Sequence, residues 1–429
     1  MKKKILVRGP ALSRSGYGEQ TRFALRALQA REDKLEIFLN TTNWGVTSWI
    51  TENDEEREWI DSLLQKTIEH TQAGGNFDVS LQVTIPGEWE RLAPVNIGYT
   101  AGVESTKISP QWLEKTYSVN KIIVPSEHTK NVFETTTWQA KSPEGEPVDV
   151  GCQTPISVVA FPAKQIEPES IDLDLKTDFN FLTVAQLSPR KNFENSVKWF
   201  VEEFHDDASV GLVAKVCLAK GCLLDKRATM RRLEQLLAEY PDRKCKVYLL
   251  HGTLSEGQMA SLYGNDKIKA CVTATHGEGF GLPVFEAAQN RLPVIAPAWS
   301  GHRDFLYAPV TSKKTKKTKK RPLFTRVDYE LKRVQPEAVW QTVIIPESMW
   351  CFPKERSYAQ ALRKVYENYS SAAAQAKKLK VYIAENFSED TQNKAFVDAL
   401  GLGLGADEEA SEDVQAWFDE LNENVEIHK

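Results

Sequence analysis

The first apolar run, Ile5-Leu6-Val7, is short, continuous and flanked by charge, the mark of a strand buried on both faces. A Ser/Gly-rich turn follows at 13–18, then a helical pattern over 19–30. Further strand-like runs lie at 35–39, 78–83, 95–99 and 121–124, and Ser126 stands as the N-cap of another helix. The rhythm pauses at 162–177, a polar stretch with Glu167, Glu169, Asp172 and Asp174 that reads as a linker. It resumes with strands at 179–184, 210–218, 246–250, 270–275 and 293–297. Helical patterns at 193–204, 227–239, 256–263 and 283–290 separate them. Such alternation predicts an α/β chain with parallel sheets covered on both faces. Two Rossmann-like domains facing a central cleft are expected, with ligands at the carboxyl ends of the strands.

Length bears on the number of domains: 429 residues exceed one ordinary core. The boundaries fall at 1–165 for the first domain and 178–395 for the second, leaving an acidic tail at 396–429. A hydrophobic content of 41% excludes a chain disordered throughout. The net charge of −5 gives no general attraction to polyanions, but it averages over two biased segments. Seven of the nine residues 313–321 are basic, inside a Lys-rich loop at 311–322. Residues 406–429 hold nine acidic side chains against one basic, with an amphipathic helical pattern at 414–421. Six scattered cysteines with no Cys-x-x-Cys pair imply free buried thiols in a reducing cytoplasm and no structural metal. The start of the chain lacks the apolar core of a signal peptide, and no run reaches the roughly 18 apolar residues of a membrane span.

The densest chemistry lies at 273–288. A buried strand ends at Thr275, a loop carries Gly277, Gly279 and Gly281, and Pro283 opens a helix. Glycines let a backbone come close to a ligand, and the amides and positive dipole end of a helix start suit a phosphate. Glu278 in the loop and Glu286 in the first turns of the helix can accept hydrogen bonds from sugar or ribose hydroxyls. The plainer alternative is a strand–loop–helix turn with both carboxylates at the surface. His276 and His302 flank the loop as second-rank contacts, and the seven histidines show no metal-ligand spacing.

Seven residues, Gly-Phe-Gly-Leu-Pro-Val-Phe, separate Glu278 from Glu286. This resembles the E-x7-E signature of the family 4 retaining glycosyltransferases, whose GT-B architecture pairs two Rossmann-like domains. Segments 122–133, 179–193 and 251–263 resemble further parts of that family; the likeness covers about 1–310 and is most specific over 179–306. It implies a retaining hexosyltransferase using a nucleotide-sugar, UDP-glucose or another UDP-sugar first, with no cofactor and no metal. By the resemblance, Lys191 would neutralise the donor diphosphate with Arg190 beside it. Glu286 would hold the ribose hydroxyls. Glu278 and the amides of Gly279, Phe280, Gly281 and Leu282 would position the sugar and its phosphate. Gly16 and Gly18 would let the first domain's backbone approach the diphosphate. Lys215 is a further phosphate contact, or a lysine snorkelling at a strand end.

Two departures from the family pattern stand out. Gln186 occupies a position where the family has an arginine, removing one positive charge from the diphosphate site. Segment 97–106 lacks the family's histidine, and Glu104 is its only side chain charged at neutral pH. Glu104 therefore joins Glu278 and Lys191 as a catalytic candidate. Lys313, Lys314, Lys316, Lys317, Lys319, Lys320 and Arg321 follow a loop at 300–304 that should edge the donor site. They form either a solvated loop or an arm that holds a phosphate-bearing acceptor. A saccharide, lipid-linked sugar or glycolipid is the first acceptor expected. DNA with hydroxymethylated bases, as for virus-type glucosyltransferases, is the alternative, and a non-catalytic nucleotide- or sugar-binding module is the third reading.

Overall fold

A computed structural model describes residues 2–141, 146–311 and 315–404. The chain forms two compact units. The first contains β1 (Lys3–Gly9), α1 (Gly16–Gln29), β2 (Leu35–Thr41), α2 (Glu55–Gln72), β3 (Val79–Gln82), β4 (Val95–Tyr99) and α3 (Pro110–Thr116). It continues with β5 (Lys121–Val124), α4 (Glu127–Thr135), the hairpin β6 (Thr137–Lys141) and β7 (Pro147–Gly151), and β8 (Ile156–Val158). Six strands pair in parallel in the order β2-β1-β3-β4-β5-β8. Ile5, Val7, Ile37, Leu39, Val79, Leu81 and Ile97 are buried in this sheet, as apolar runs covered on both faces require.

The second unit holds β9 (Phe179–Gln186), α5 (Phe193–Phe204), β10 (Val210–Cys217), α6 (Leu223–Leu237), β11 (Lys246–Leu250), α7 (Glu256–Gly264) and β12 (Ile268–Val272). After these come α8 (Leu282–Gln289), β13 (Val294–Pro297), α9 (Arg303–Leu306), β14 (Tyr307–Thr311), β15 (Thr318–Pro322), β16 (Thr325–Val327), β17 (Tyr329–Arg333) and β18 (Met349–Pro353). Its six-stranded sheet is parallel in the order β11-β10-β9-β12-β13-β16. Within the unit this is the 3-2-1-4-5-6 order of a doubly wound nucleotide-binding sheet. Phe193, Val197, Phe200, Val201 and Phe204 recur at helical spacing along α5 and bury one stripe against Phe181, Leu212 and Leu362. Helices α10 (Glu355–Glu367) and α11 (Tyr369–Asn386) complete the unit.

The last described helix, α12 (Glu389–Leu400), returns to the first unit. Phe396 packs edge-on against Phe23 of α1 with ring centroids 5.5 Å apart, and against Tyr99 at 5.3 Å. The division expected from sequence put 389–395 in the second domain and began a tail at 396. The apolar stripe of α12 instead closes the first unit's core, because it has Phe23 and Tyr99 to bury against. The acidic stretch 405–429, with its helical pattern at 414–421, lies outside the described residues. The stretch 311–322 was expected as a loop, but its ends are the paired strands β14 and β15. Thr311 and Thr318 hydrogen bond across the ladder at 2.8 Å, and Tyr307 packs edge-on against Phe324 at its base. All six cysteines are free; Cys245, Cys271 and Cys351 are buried, while Cys222 is exposed. Among the described residues no helix is long and apolar enough to cross a membrane.

Candidate functional site

In a 3-2-1-4-5-6 sheet, successive connections leave the first and fourth strands in opposite directions, opening a crevice at their carboxyl ends. In the second unit those strands are β9 and β12. A 3-10 turn, Pro189–Lys191, follows β9, and Asn192 adopts a left-handed conformation at φ 51° before α5 begins. Asparagine tolerates that region better than most residues. After β12, the loop 273–281 leads to α8, whose N-cap Gly281 has φ 96° and whose first turn contains Pro283.

The two loops are tied to each other. The His276 amide donates to the Arg190 carbonyl at 2.8 Å, the Arg190 guanidinium donates to the Gly277 carbonyl at 2.6 Å, and the Asn192 amide side chain reaches the Ala274 carbonyl at 3.1 Å. A third loop, after β13, presses on them. Ser300, at φ 72°, accepts the Glu278 amide on its Oγ at 3.0 Å, and the Gly301 amide donates to the Glu278 carbonyl at 2.9 Å. A Cβ on Gly301 would lie 2.0 Å from the Gly279 carbonyl oxygen, so only glycine fits there.

Glu278 sits at the centre of this junction with 7% of its surface exposed. Lys191 Nζ donates to its Oε1 at 2.6 Å and Arg190 to its Oε2 at 3.0 Å. Burial would push the Glu278 carboxyl up, but Lys191 and Arg190 outweigh it and hold the group down at about 2. Arg190 also faces Glu104 at 3.6 Å. The cluster therefore balances the cations Arg190 and Lys191 against the anions Glu278 and Glu104. Glu104 was expected on the first domain. Residues Val103–Thr106 instead cluster with the second unit, because Thr106 exchanges two 2.8 Å hydrogen bonds with Met349 and the Glu104 carbonyl packs on Gly277.

Other candidates lie around this centre. Glu286, on α8, accepts a hydrogen bond from Tyr263 at 2.9 Å. The amides of Gly281 and Leu282 open α8, where helix geometry supplies no internal acceptor. Gly279 and Phe280 are buried in the preceding loop. Lys215, near the end of β10, donates to the Gly252 carbonyl at 2.6 Å, and burial lowers its ammonium below the usual lysine range. Gln186 donates to the Leu218 carbonyl at 3.3 Å, so a neutral amide lies at the end of β9. His276 is buried; its ring stacks on Trp350 and its Nδ1 lies 2.6 Å from the Cys351 carbonyl, pinning the loop to β18. His302 is also fully buried and donates from Nε2 to the Pro297 carbonyl at 2.7 Å.

Gly16 and Gly18 belong to the first unit, at the start of α1. A Cβ on Gly18 would meet the Ser13 carbonyl at 1.9 Å, whereas Gly16 faces open space. The bare surface of Gly18 is thus used by the chain's own backbone. Lys316, Lys317, Lys319, Lys320 and Arg321 are exposed on the β14–β15 hairpin and its turn; Lys313 and Lys314 lie outside the described residues. Sequence reasoning missed Ser300, Asn192 and Trp350. Only the Asn and the Ser-Gly pair at 300–301 carried a signal, both being residue types that tolerate left-handed backbone or turns. Among the described residues, no three His, Cys, Asp or Glu side chains group to hold a metal ion.

Comparison with known proteins adds to this geometry. Residues 226–396 match the family described as family 4 glycosyltransferases in conflict systems. A serotype-specific mannosyltransferase of Escherichia coli, WbdA, is 32% identical over 118 residues, taking in 27% of this chain and 13% of that protein. The chain thus spans only a small part of the length of the curated relatives it matches. Among solved structures, Anabaena HepE in complex with UDP and glucose superposes with a TM-score of 0.57 at 13% identity, covering 93% of this chain and 99% of HepE. Sucrose-phosphate synthase of Thermosynechococcus elongatus gives 0.58 at 15% identity, covering 92% and 98%. These likenesses establish the fold as GT-B. The stretch matched by the family 4 glycosyltransferase model, residues 226–396, contains both Glu278 and Glu286, and over that stretch the chain is similar to that family.

Proposed function

We propose that the protein is a glycosyltransferase that moves a sugar from a nucleotide-sugar, with a UDP-hexose such as UDP-glucose as first candidate, to an acceptor hydroxyl. The observation that carries this reading is the Arg190–Lys191–Glu278 cluster at the switch point of a doubly wound sheet, beside a glycine loop and a helix start. Lys191, with Arg190, meets the charge of the leaving diphosphate, and the amides of Gly279, Phe280, Gly281 and Leu282 receive its oxygens. Glu286 takes the ribose hydroxyls, and Lys215 is a further phosphate contact. Glu278 orients the sugar, and Glu104 stands ready for the sugar or the acceptor.

The reaction retains configuration. The acceptor oxygen bonds to the anomeric carbon on the face from which the diphosphate departs, and the diphosphate oxygen takes the acceptor's proton. The protein's contribution is orientation and stabilisation of negative charge on the leaving group, and no step is routed through a metal. A saccharide or glycolipid is the acceptor, and the free cysteines suit a cytoplasmic enzyme. The family match over 226–396 and the crystallisation of HepE with UDP-glucose support the reading. Slow hydrolysis across a panel of nucleotide-sugars tests it. Lys191→Ala should lower turnover by roughly 100-fold or more, the usual cost of removing one oxyanion-stabilising donor. Turnover equal to the wild type would remove the assignment.

A further inference from the structure

The β14–β15 hairpin has no part in the donor site, yet it is a formed element and not a solvated loop. Its base is fixed: Leu306 and Ala308 are buried, the Leu323 amide donates to the Leu306 carbonyl at 3.0 Å, and Tyr307 packs on Phe324. Beyond the base it carries Lys316, Lys317, Lys319, Lys320 and Arg321, all exposed. No ion pair forms to any of these among the described residues. The cations stand on both faces of the ribbon. Cross-strand partners share a face, so Lys319 and Arg321 project with Val310 and Ala308, while Lys320 projects with Pro309 on the other side. Lys316, at φ 56°, and Lys317 lie in the turn.

A polyanion that complements this arrangement must present phosphate on two sides of a narrow ribbon. We propose that the hairpin is a docking arm for duplex DNA, entering the major groove with Lys319 and Arg321 toward one phosphate row and Lys320 toward the other. The major groove of B-DNA admits a two-stranded β-ribbon. The A-form groove of duplex RNA is too deep and narrow for side chains to read. A lipid surface is planar and would engage one face only. Single strands are held by aromatic platforms, and the one aromatic side chain of the hairpin, Tyr307, is packed at its base. Because α9 and the hairpin directly follow Ser300 and Gly301, the arm is rooted beside the loop that holds Glu278. This inference does not depend on the sugar-transfer reading.

Fluorescence anisotropy with a short labelled B-form duplex tests it on the full chain. Neutralising five phosphates predicts a log–log salt slope near −4.5, an affinity loss of about 500-fold between about 50 and about 200 mM salt. Replacing Lys316, Lys317, Lys319, Lys320 and Arg321 together by Gln should abolish the binding and its salt slope without moving the melting temperature. Lys319→Glu alone should weaken it further than Lys319→Gln. Lys191→Ala should bind DNA as the wild type does, which separates failure of this inference from failure of the donor site. Equal binding by the five-Gln variant, or equal affinity for anionic vesicles or single strands, would overturn the proposal.

Discussion

Glu278 keeps its charge where burial alone would favour the neutral acid; the attraction of Lys191 and Arg190 is what holds it ionised at about 2 rather than the ordinary 4.5. A carboxyl depressed by folding stabilises the native state fully above 4.5, and that contribution is lost as the pH falls through about 2. Thermal melts over that window should therefore fall more steeply for the wild type than for Glu278→Gln, and parallel curves would dissolve the cluster as an energetic unit. Ser300 offers a second test. It spends about 1–3 kcal/mol on left-handed backbone in order to place its Oγ under the Glu278 amide. Ser300→Gly loses the bond and relieves the strain, whereas Ser300→Ala loses the bond and keeps the strain. Denaturant unfolding should rank the Ala variant below the Gly variant by about 1 kcal/mol, the reverse of their usual order in a helix. The types and spacing of Lys191 and Glu278 could be seen in the sequence. The strain at Ser300 could not, since it is imposed by Gly279 and Gly301 packing against each other in space.

Among the elements, the first five strands of each parallel sheet in chain order were legible because strands buried on two faces must be apolar throughout. The last strand of each sheet, β8 and β16, was not, nor were β14, β15, β17 and β18. β15 is Thr-Lys-Lys-Arg-Pro, with no buried face to write a period-2 pattern, and β17 alternates weakly beside an exposed edge. β16 pairs with β13 and β17 with β18 across intervening segments, partners that a local window does not contain. Glycines at the start of α1 show a similar limit. Gly16 and Gly18 look alike in sequence, but Gly18 lies against the Ser13 carbonyl at a distance no Cβ could share, and Gly16 faces open space. Gly16→Ala should leave the first unit as stable as before, or firmer by up to about 1 kcal/mol, as alanine favours helix. Gly18→Ala must shift the 10–15 turn and should destabilise by about 1–3 kcal/mol, the usual cost of overpacking. Chemical denaturation of the two variants side by side would test the distinction, and equal midpoints would refute it.

At the scale of the whole molecule, chain order and spatial grouping part company. Residues Val103–Thr106 leave the first unit's sequence to bring Glu104 to Arg190, and α12 leaves the second unit's sequence to complete the first unit's core. No local signal separates a helix that closes its own domain from one that returns to an earlier one, because both present the same apolar stripe. Only the partner differs. For α12 the partner is α1 and β4: Phe396 is fully buried, and Leu400, Leu402 and Leu404 are nearly so. Cutting the chain after residue 388 would expose Phe23 and Tyr99 to water although every strand of the first sheet remains. Losing Phe396 alone should cost about 3–5 kcal/mol, a large part of a domain's total stability of about 5–15 kcal/mol. We therefore expect a chain of residues 1–388 to bind a hydrophobic dye and to lose the first unit's cooperative melting. A chain of residues 1–404, which keeps α12, should retain the first unit's cooperative transition. If the 1–388 chain melted with an undiminished transition, α12 would be an appendage and the first unit would end where the sequence alone suggests.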